Sequence, residues 1–346
     1  MKAQISTGIR RLRVGKRLAV AVILCGILGI VSYLAVTQEE NEIEVALQQS
    51  PLIGVTSSTW NPLQIGLWHW YNANLITTFA VGRSPFGVAF DGANIWVTSQ
   101  QDGTVTKLRA SDGKLLGIFA AGSSLEGVAF DGANIWVANA AQSGSVTKLR
   151  ASDGKSLGTF AVRNYPTGVA FDGTNIWVTS VLDNNVTKLR ASDGKVLGTF
   201  AVGTYPIGVA FDGANMWVVN NVTNNVTKLR ASNGIVLGTL AVGGAPYAAP
   251  FDGANIWVTN QGDNTVSKLR ASDGTTMGTF TTGASPFGVA FDGANVWVTG
   301  STVTKLRASD GKLLGSFATG RQPFAVAFDG ANIWVANGNS GTVSKL

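Results

Sequence analysis

The chain has 346 residues, of which 43 are glycine and only 13% are charged. That balance excludes a disordered or highly charged helical protein and points to many tight turns between apolar strands. The formal net charge of +6 divides into +2 over residues 1–74 and +4 over 75–346, too modest and too dispersed to imply a nucleic-acid partner. The single cysteine, Cys25, excludes an intramolecular disulfide.

The first 17 residues, MKAQISTGIRRLRVGKR, hold six basic side chains and no acid. Residues 18–36, LAVAVILCGILGIVSYLAV, are 19 uncharged residues. As a helix they would span about 28 Å, close to the hydrocarbon core of a bilayer. Four glutamates follow at 39, 40, 42 and 44. The charge asymmetry predicts a cytoplasmic segment 1–17, a transmembrane anchor (or uncleaved signal) over 18–36, and everything beyond it outside the cytoplasm. A cleavable signal fits less well, because its apolar region is shorter and ends in a small-x-small site, whereas this run leaves through SYLAVTQEE. Residues 37–74 read as a tether without repeats. Within it NPLQIGLWHWY, from Asn61, carries a weak helix signal, and His69, the only histidine, sits between Trp68 and Trp70 in what reads as a packing role.

From residue 75 the chain repeats itself. FDGANIWV begins at Phe90, Phe130, Phe251 and Phe328, with variants at Phe171, Phe211 and Phe291. The spacings are 40, 41, 40, 40, 40 and 37 residues, and a period near 40 with four strand-like pieces is the signature of a β-propeller blade. In the first repeat, PFGVAF, IWVTS, TVTKLR and KLLGIFAAG are the strands, separated by DGAN, QQDG and ASDG turns. The predicted fold is all-β: a seven-bladed β-propeller of four-stranded blades over 75–346, preceded by one N-terminal transmembrane helix. LITTFAVG at 75–82 matches a fourth strand, and the last repeat stops after its third. The N-terminal strand 75–82 is therefore expected to pair with the blade at 324–346 and close the ring.

Repeats of the form P-x-G-V-A-F-D-G-x-x-I-W-V-x-N, followed by T-V-x-K-L and x-D-G, resemble the YVTN-type β-propeller repeat of lactonase-like and surface-layer-like proteins of bacteria and archaea. The resemblance covers residues 75–346, with WVTN or WVAN in place of YVTN. It implies the fold, and it leaves function open because such propellers serve both as enzymes and as binding scaffolds. With the anchor, it implies a periplasmic or cell-surface location.

The turns DGAN and ASDG are nearly constant among the copies. The loops after the second strands and the connections between blades vary, and they share the opposite face. Variation confined to one face suits a ligand-reading surface. The candidate residues there are Arg83, Phe86, Glu126, Tyr165, Tyr205, Tyr247, Phe287, Arg321 and Phe324. Aromatic rings with two arginines and one glutamate suit a protein, peptide or glycan of the cell envelope. The repeated aspartates lack the alternating acid pattern of a calcium loop, so neither a metal nor another cofactor is expected. The repeated Lys-Leu-Arg of the third strands either pairs with turn aspartates at the rim or forms a basic band. A membrane-anchored binding or scaffold module, its propeller monomeric, is the favoured reading. The alternatives are a lactonase- or lyase-type enzyme, for which the propeller offers no histidine and Glu126 as its sole glutamate, and a nucleic-acid or glycan binder.

Overall fold

The computed structural model describes residues 32–39, 42–49 and 77–346. The chain divides into two units, Met1–Trp68 and His69–Leu346. In the first, Ser32–Glu39 pairs antiparallel with Glu42–Gln49, Glu39 lying opposite Glu42. The transmembrane helix expected over 18–36 lies outside the described residues except at 32–36, where the chain is extended strand and not helix. Among the described residues no helix is long and apolar enough to cross a membrane. The basic segment 1–17 and the helix signal from Asn61 also fall outside the described residues.

The second unit is a seven-bladed propeller. In blade 1 Pro85–Phe90, Asn94–Ser99, Thr104–Arg109 and Leu115–Ala120 pair in chain order as an antiparallel meander. Blades 2, 3, 4 and 6 repeat it, with first strands Leu125–Phe130, Pro166–Phe171, Pro206–Phe211 and Val289–Phe291. Blade 7 combines Pro323–Phe328, Ile333–Asn337 and Thr342–Lys345 with Thr77–Ala80, Thr342 lying opposite Ala80 and Lys345 opposite Thr77. Blade 5 departs from the pattern. Its inner segment is reduced to two bridges, Pro246 to Asn260 and Phe251 to Ile256, beside a three-stranded sheet. Pro250 has no N–H to give to a ladder, and its carbonyl accepts from Trp257 N instead.

The repeated FDGANIWV has a physical reason in every blade. Asp91 Oδ1 accepts from the backbone N–H groups of Ala93 and Asn94 at 2.9 and 2.7 Å, which folds DGAN into a tight turn. Its Oδ2 accepts from the buried Trp96 indole at 2.7 Å. The same 2.7 Å bond recurs from all seven repeat tryptophans to the aspartate five residues before each. One side chain thus shapes the turn and satisfies the indole N–H that would otherwise be buried unpaired.

Those tryptophans form cores that lie between blades. Trp96 and Val105 of blade 1 pack with Leu125, Ile135, Val137 and Leu149 of blade 2. Trp334 and Val343 of blade 7 pack with Ile95, Val97 and Leu108 of blade 1. Each blade therefore buries its face only against a neighbour. Within blade 1 Phe119 of the fourth strand lies against Trp96 at 5.7 Å between ring centroids. In blade 7 the corresponding ring is Phe79, 5.5 Å from Trp334, and it is delivered by the strand preceding blade 1.

The Lys-Leu-Arg motif separates into two jobs. Lys107 is buried, sits 5.0 Å from the Trp96 ring centroid, and donates to Ala151 O in blade 2 at 2.6 Å. Lys148, Lys188, Lys228, Lys268 and Lys345 reach the following blade in the same way. The arginines stay at the surface, and five of the six pair with turn aspartates, as Arg109 does with Asp112 at 3.2 Å, while the turn after Arg230 carries Asn233 instead. A basic band of both residues does not form, because the lysines are tucked between blades. The outer strands carry exposed apolar side chains, among them Leu115, Ile118, Val236 and Leu313.

Candidate functional site

The first strands line the axis, and a bulge opens most of them. In blade 1 the pairing jumps from Pro85 opposite Ser99 to Val88 opposite Val97, leaving Phe86 and Gly87 in between. Blades 2, 3, 4 and 7 show the same jump. A bulge re-aims the side chains within it, and here the residue before the glycine turns into the axial opening. The glycine is required by close approach. A Cβ on Gly87 would stand 2.7 Å from Glu126 O, and one on Gly208 would stand 2.5 Å from Tyr247 O.

The result is a cavity of about 370 Å³ at the channel mouth, with Phe86, Glu126, Thr167, Ile207, Tyr247 and Phe324 in its lining. Each comes from a different blade. Phe287 of blade 6 completes the circle through its neighbours, 5.2 Å from the Tyr247 ring and 4.9 Å from Phe324. Phe86 lies 5.1 Å from Phe324. Blades 5, 6, 7 and 1 thus present a contiguous aromatic arc, facing Glu126, Thr167 and Ile207 from blades 2, 3 and 4. Beneath them Val88, Val128, Val169 and Val209 make an apolar floor.

Glu126 is the only acid in this lining, which holds no lysine, arginine or histidine. Burial pushes its carboxyl up to about 7, against the Gln100 amide, which donates to Oε1 at 3.1 Å. Thr98 of blade 1 donates to the Glu126 carbonyl at 2.8 Å and accepts from Gly87 N at 2.7 Å, so the backbone under the carboxyl is held from the neighbouring blade. Burial, then the charges of Glu126 and Tyr205, push the Tyr247 hydroxyl well above its ordinary range.

Of the nine residues singled out from the sequence, five gather at this mouth: Phe86, Glu126, Tyr247, Phe287 and Phe324. The other four lie on the connections outside its lining. Arg83 is exposed and pairs with Asp102 at 2.6 Å. Arg321 is exposed, its backbone N–H donating to Ser340 at 2.7 Å. Tyr165 and Tyr205, 40% and 42% exposed, occupy the left-handed turn before the proline, at φ 50° and 61°. Ser84, Ala245, Ser285 and Gln322 hold the equivalent corner in other blades. The rings of Tyr165 and Tyr205 therefore stand on the connections, and Thr167 and Ile207 take the channel positions. Both follow the proline of a Pro-x-Gly triplet, and it is the bulge there that carries the middle residue to the axis. Gln100 carried no such signal, because it lies at a variable loop in the preceding blade.

The variable-face aspartates have structural work. Asp102, Asp183 and Asp263 accept from the backbone N–H groups of Arg83, Asn164 and Gly244 at 2.7, 2.8 and 2.7 Å, pinning each connection to the loop of the blade it enters. Among the described residues no three histidine, cysteine or acidic side chains converge as a metal site.

No family model matches the chain, and no curated protein matches it in sequence. Its structure is similar to Kuenenia stuttgartiensis hydrazine synthase, with a TM-score of 0.69 at 19% identity, over 76% of this chain and 95% of that one. At that identity the likeness establishes the fold alone. The chain is a seven-bladed β-propeller.

Proposed function

We propose that this protein is a binding or scaffold propeller that recognises its partner through the channel mouth and the connections around it. The observation that carries the reading is the break in repeat regularity at one position. Seven near-identical blades present Phe, Glu, Thr, Ile, Tyr, Phe and Phe there, while the turns of the opposite face hardly vary. Aromatic side chains around a preformed apolar cavity with few polar groups have the make-up of a recognition site. The partner class is a protein, peptide or glycan of the cell envelope. In the same proposal residues 18–36 anchor the chain in a membrane, the propeller stands outside the cytoplasm as a monomer, and its repeat is of the YVTN type. These parts rest on the sequence.

One observation favours a second reading, an enzyme of the lactonase or lyase type. A carboxyl with its pKa near 7 inside a cavity suits general acid–base work. Glu126 has no second titratable partner but the Tyr247 hydroxyl in the lining, so binding is the better-supported use.

The test uses the full chain as bait in envelope extract, beside a Phe86→Ser/Phe324→Ser variant whose far-UV spectrum matches the wild type. A partner held by the wild type and lost by the variant is the expected result. Equal capture by both, or capture by neither, overturns the reading.

A further inference from the structure

We propose that the channel mouth takes one small organic monocation, an ammonium group on an apolar body, seated between Glu126 and the aromatic arc. This rests on the mouth being a binding site and names the chemistry it would select. Three observations support it. First, Glu126 has no cationic partner among the described residues; its carboxylate accepts only from the neutral Gln100 amide. Of the arginines on the connections, Arg83 is already paired with Asp102, and none of Arg83, Arg163 and Arg321 enters the lining. Second, Phe324, Phe287 and Tyr247 join Phe86 in an unbroken run of rings, whose faces attract a cation within about 6 Å and whose edges cover an alkyl body. Third, the polar inventory is too small for the alternatives. The Thr167 hydroxyl is engaged by Thr179 at 2.9 Å, so a sugar would find few groups to satisfy its hydroxyls, and an anion would meet Glu126 with nothing to offset it. The chain uses the same chemistry internally, where each repeat lysine holds its ammonium 4.5 to 5.4 Å from a tryptophan centroid.

The burial that makes Glu126 hard to ionise also sets the pH dependence. A cation favours the carboxylate, so binding releases the proton and strengthens as the pH rises through about 7. The other titratable groups near this site are the Tyr247 hydroxyl, which stays neutral throughout that range, and Tyr205 beyond it. No other charged group belongs to the lining.

Isothermal titration calorimetry of the full chain with n-butylammonium, butyltrimethylammonium, n-butanol and butyrate tests this at pH 5.5 and pH 8. The cations should bind at least about tenfold more tightly than butanol or butyrate. Their affinity should rise with pH in the wild type, and in Glu126→Gln it should fall about tenfold and lose the pH dependence. Comparing Nα-acetyl-lysine amide with butylammonium then tells a peptide-borne ammonium from a free amine as the better ligand. Butanol binding as well as butylammonium, or cation affinity unchanged in Glu126→Gln, overturns the proposal. If that happens while the Phe86→Ser/Phe324→Ser variant still loses its envelope partner, the mouth remains a binding site and only the cation is wrong.

Discussion

Glu126 is the residue at which this ring gives up stability for a feature its other blades do not have. At the same place its sister blades carry phenylalanine, threonine, isoleucine or tyrosine, none of which has a charge to desolvate. The carboxyl is raised from an ordinary 4.5 to about 7, so the folded state holds its proton more tightly than the unfolded chain does. The stability this contributes is whole below pH 4.5 and is lost as the pH rises through about 7. Glu126→Gln keeps the shape and cannot ionise. It should therefore unfold at a higher urea concentration than wild type at pH 8, by up to about 3 kcal/mol, with the difference vanishing near pH 4. A constant difference across that range would show that the carboxyl is better solvated than its surroundings indicate. Asp91 shows the opposite balance. Burial works against its charge, but the Trp96 indole, the Asn94 amide and two backbone N–H groups outweigh it and hold the pKa below 3.8.

Among the elements, the strand Thr77–Ala80 has the greatest consequence for its length. It is four residues long, yet it completes blade 7 and supplies the ring that lies against Trp334. Phe79 and Phe119 do the same work on their respective tryptophans, one across the chain's junction and one within a continuous blade. If the junction is as firm as the rest of the ring, Phe79→Ala and Phe119→Ala should each cost roughly 2–4 kcal/mol in chemical denaturation. A much smaller cost for Phe79→Ala would mean that blade 7 opens readily at its outer strand. The bulged first strands matter in another way. Their glycines let neighbouring backbones meet at the axis, and the residue beside each glycine is thereby turned into the opening.

At the scale of the molecule, stability is a ring of interfaces. Every tryptophan core joins two blades, and six lysines cross to carbonyls of the next. Asp91, Asp212, Asp252, Asp292 and Asp329 are each disfavoured by burial and rescued by hydrogen bonds led by a tryptophan indole, with a net lowering from 3.8. Their stabilisation is present above pH 3.8 and is lost as the pH falls through their lower folded values. Glu126 works from the other side. The melting temperature should therefore be greatest at mildly acidic pH, above the aspartates' 3.8 and below the approximate 7 of Glu126. In Glu126→Gln the decline on the alkaline side of that maximum should be shallower. A wild-type profile that is flat below pH 4 would contradict the role given to the turn aspartates.

The blade count, the strands and the turn chemistry were legible in the chain alone, because a repeat of about 40 residues writes the same local instructions seven times. FDGANIWV is legible as a strand, a turn and a strand since each part depends on residues within a few positions of it. The face that varies was legible there as well. Which residue of each connection reaches the axis emerged only with the folded ring. Tyr165 and Tyr205 are conspicuous in the sequence, but a left-handed corner leaves them on the connections, and the bulge two residues later brings in Thr167 and Ile207. Nor could the sequence bring Gln100 to Glu126, or bury the lysines of a motif that reads as a surface charge pattern. Those outcomes depend on the neighbouring blade, whose approach is set by packing around the axis rather than by any local stretch of chain.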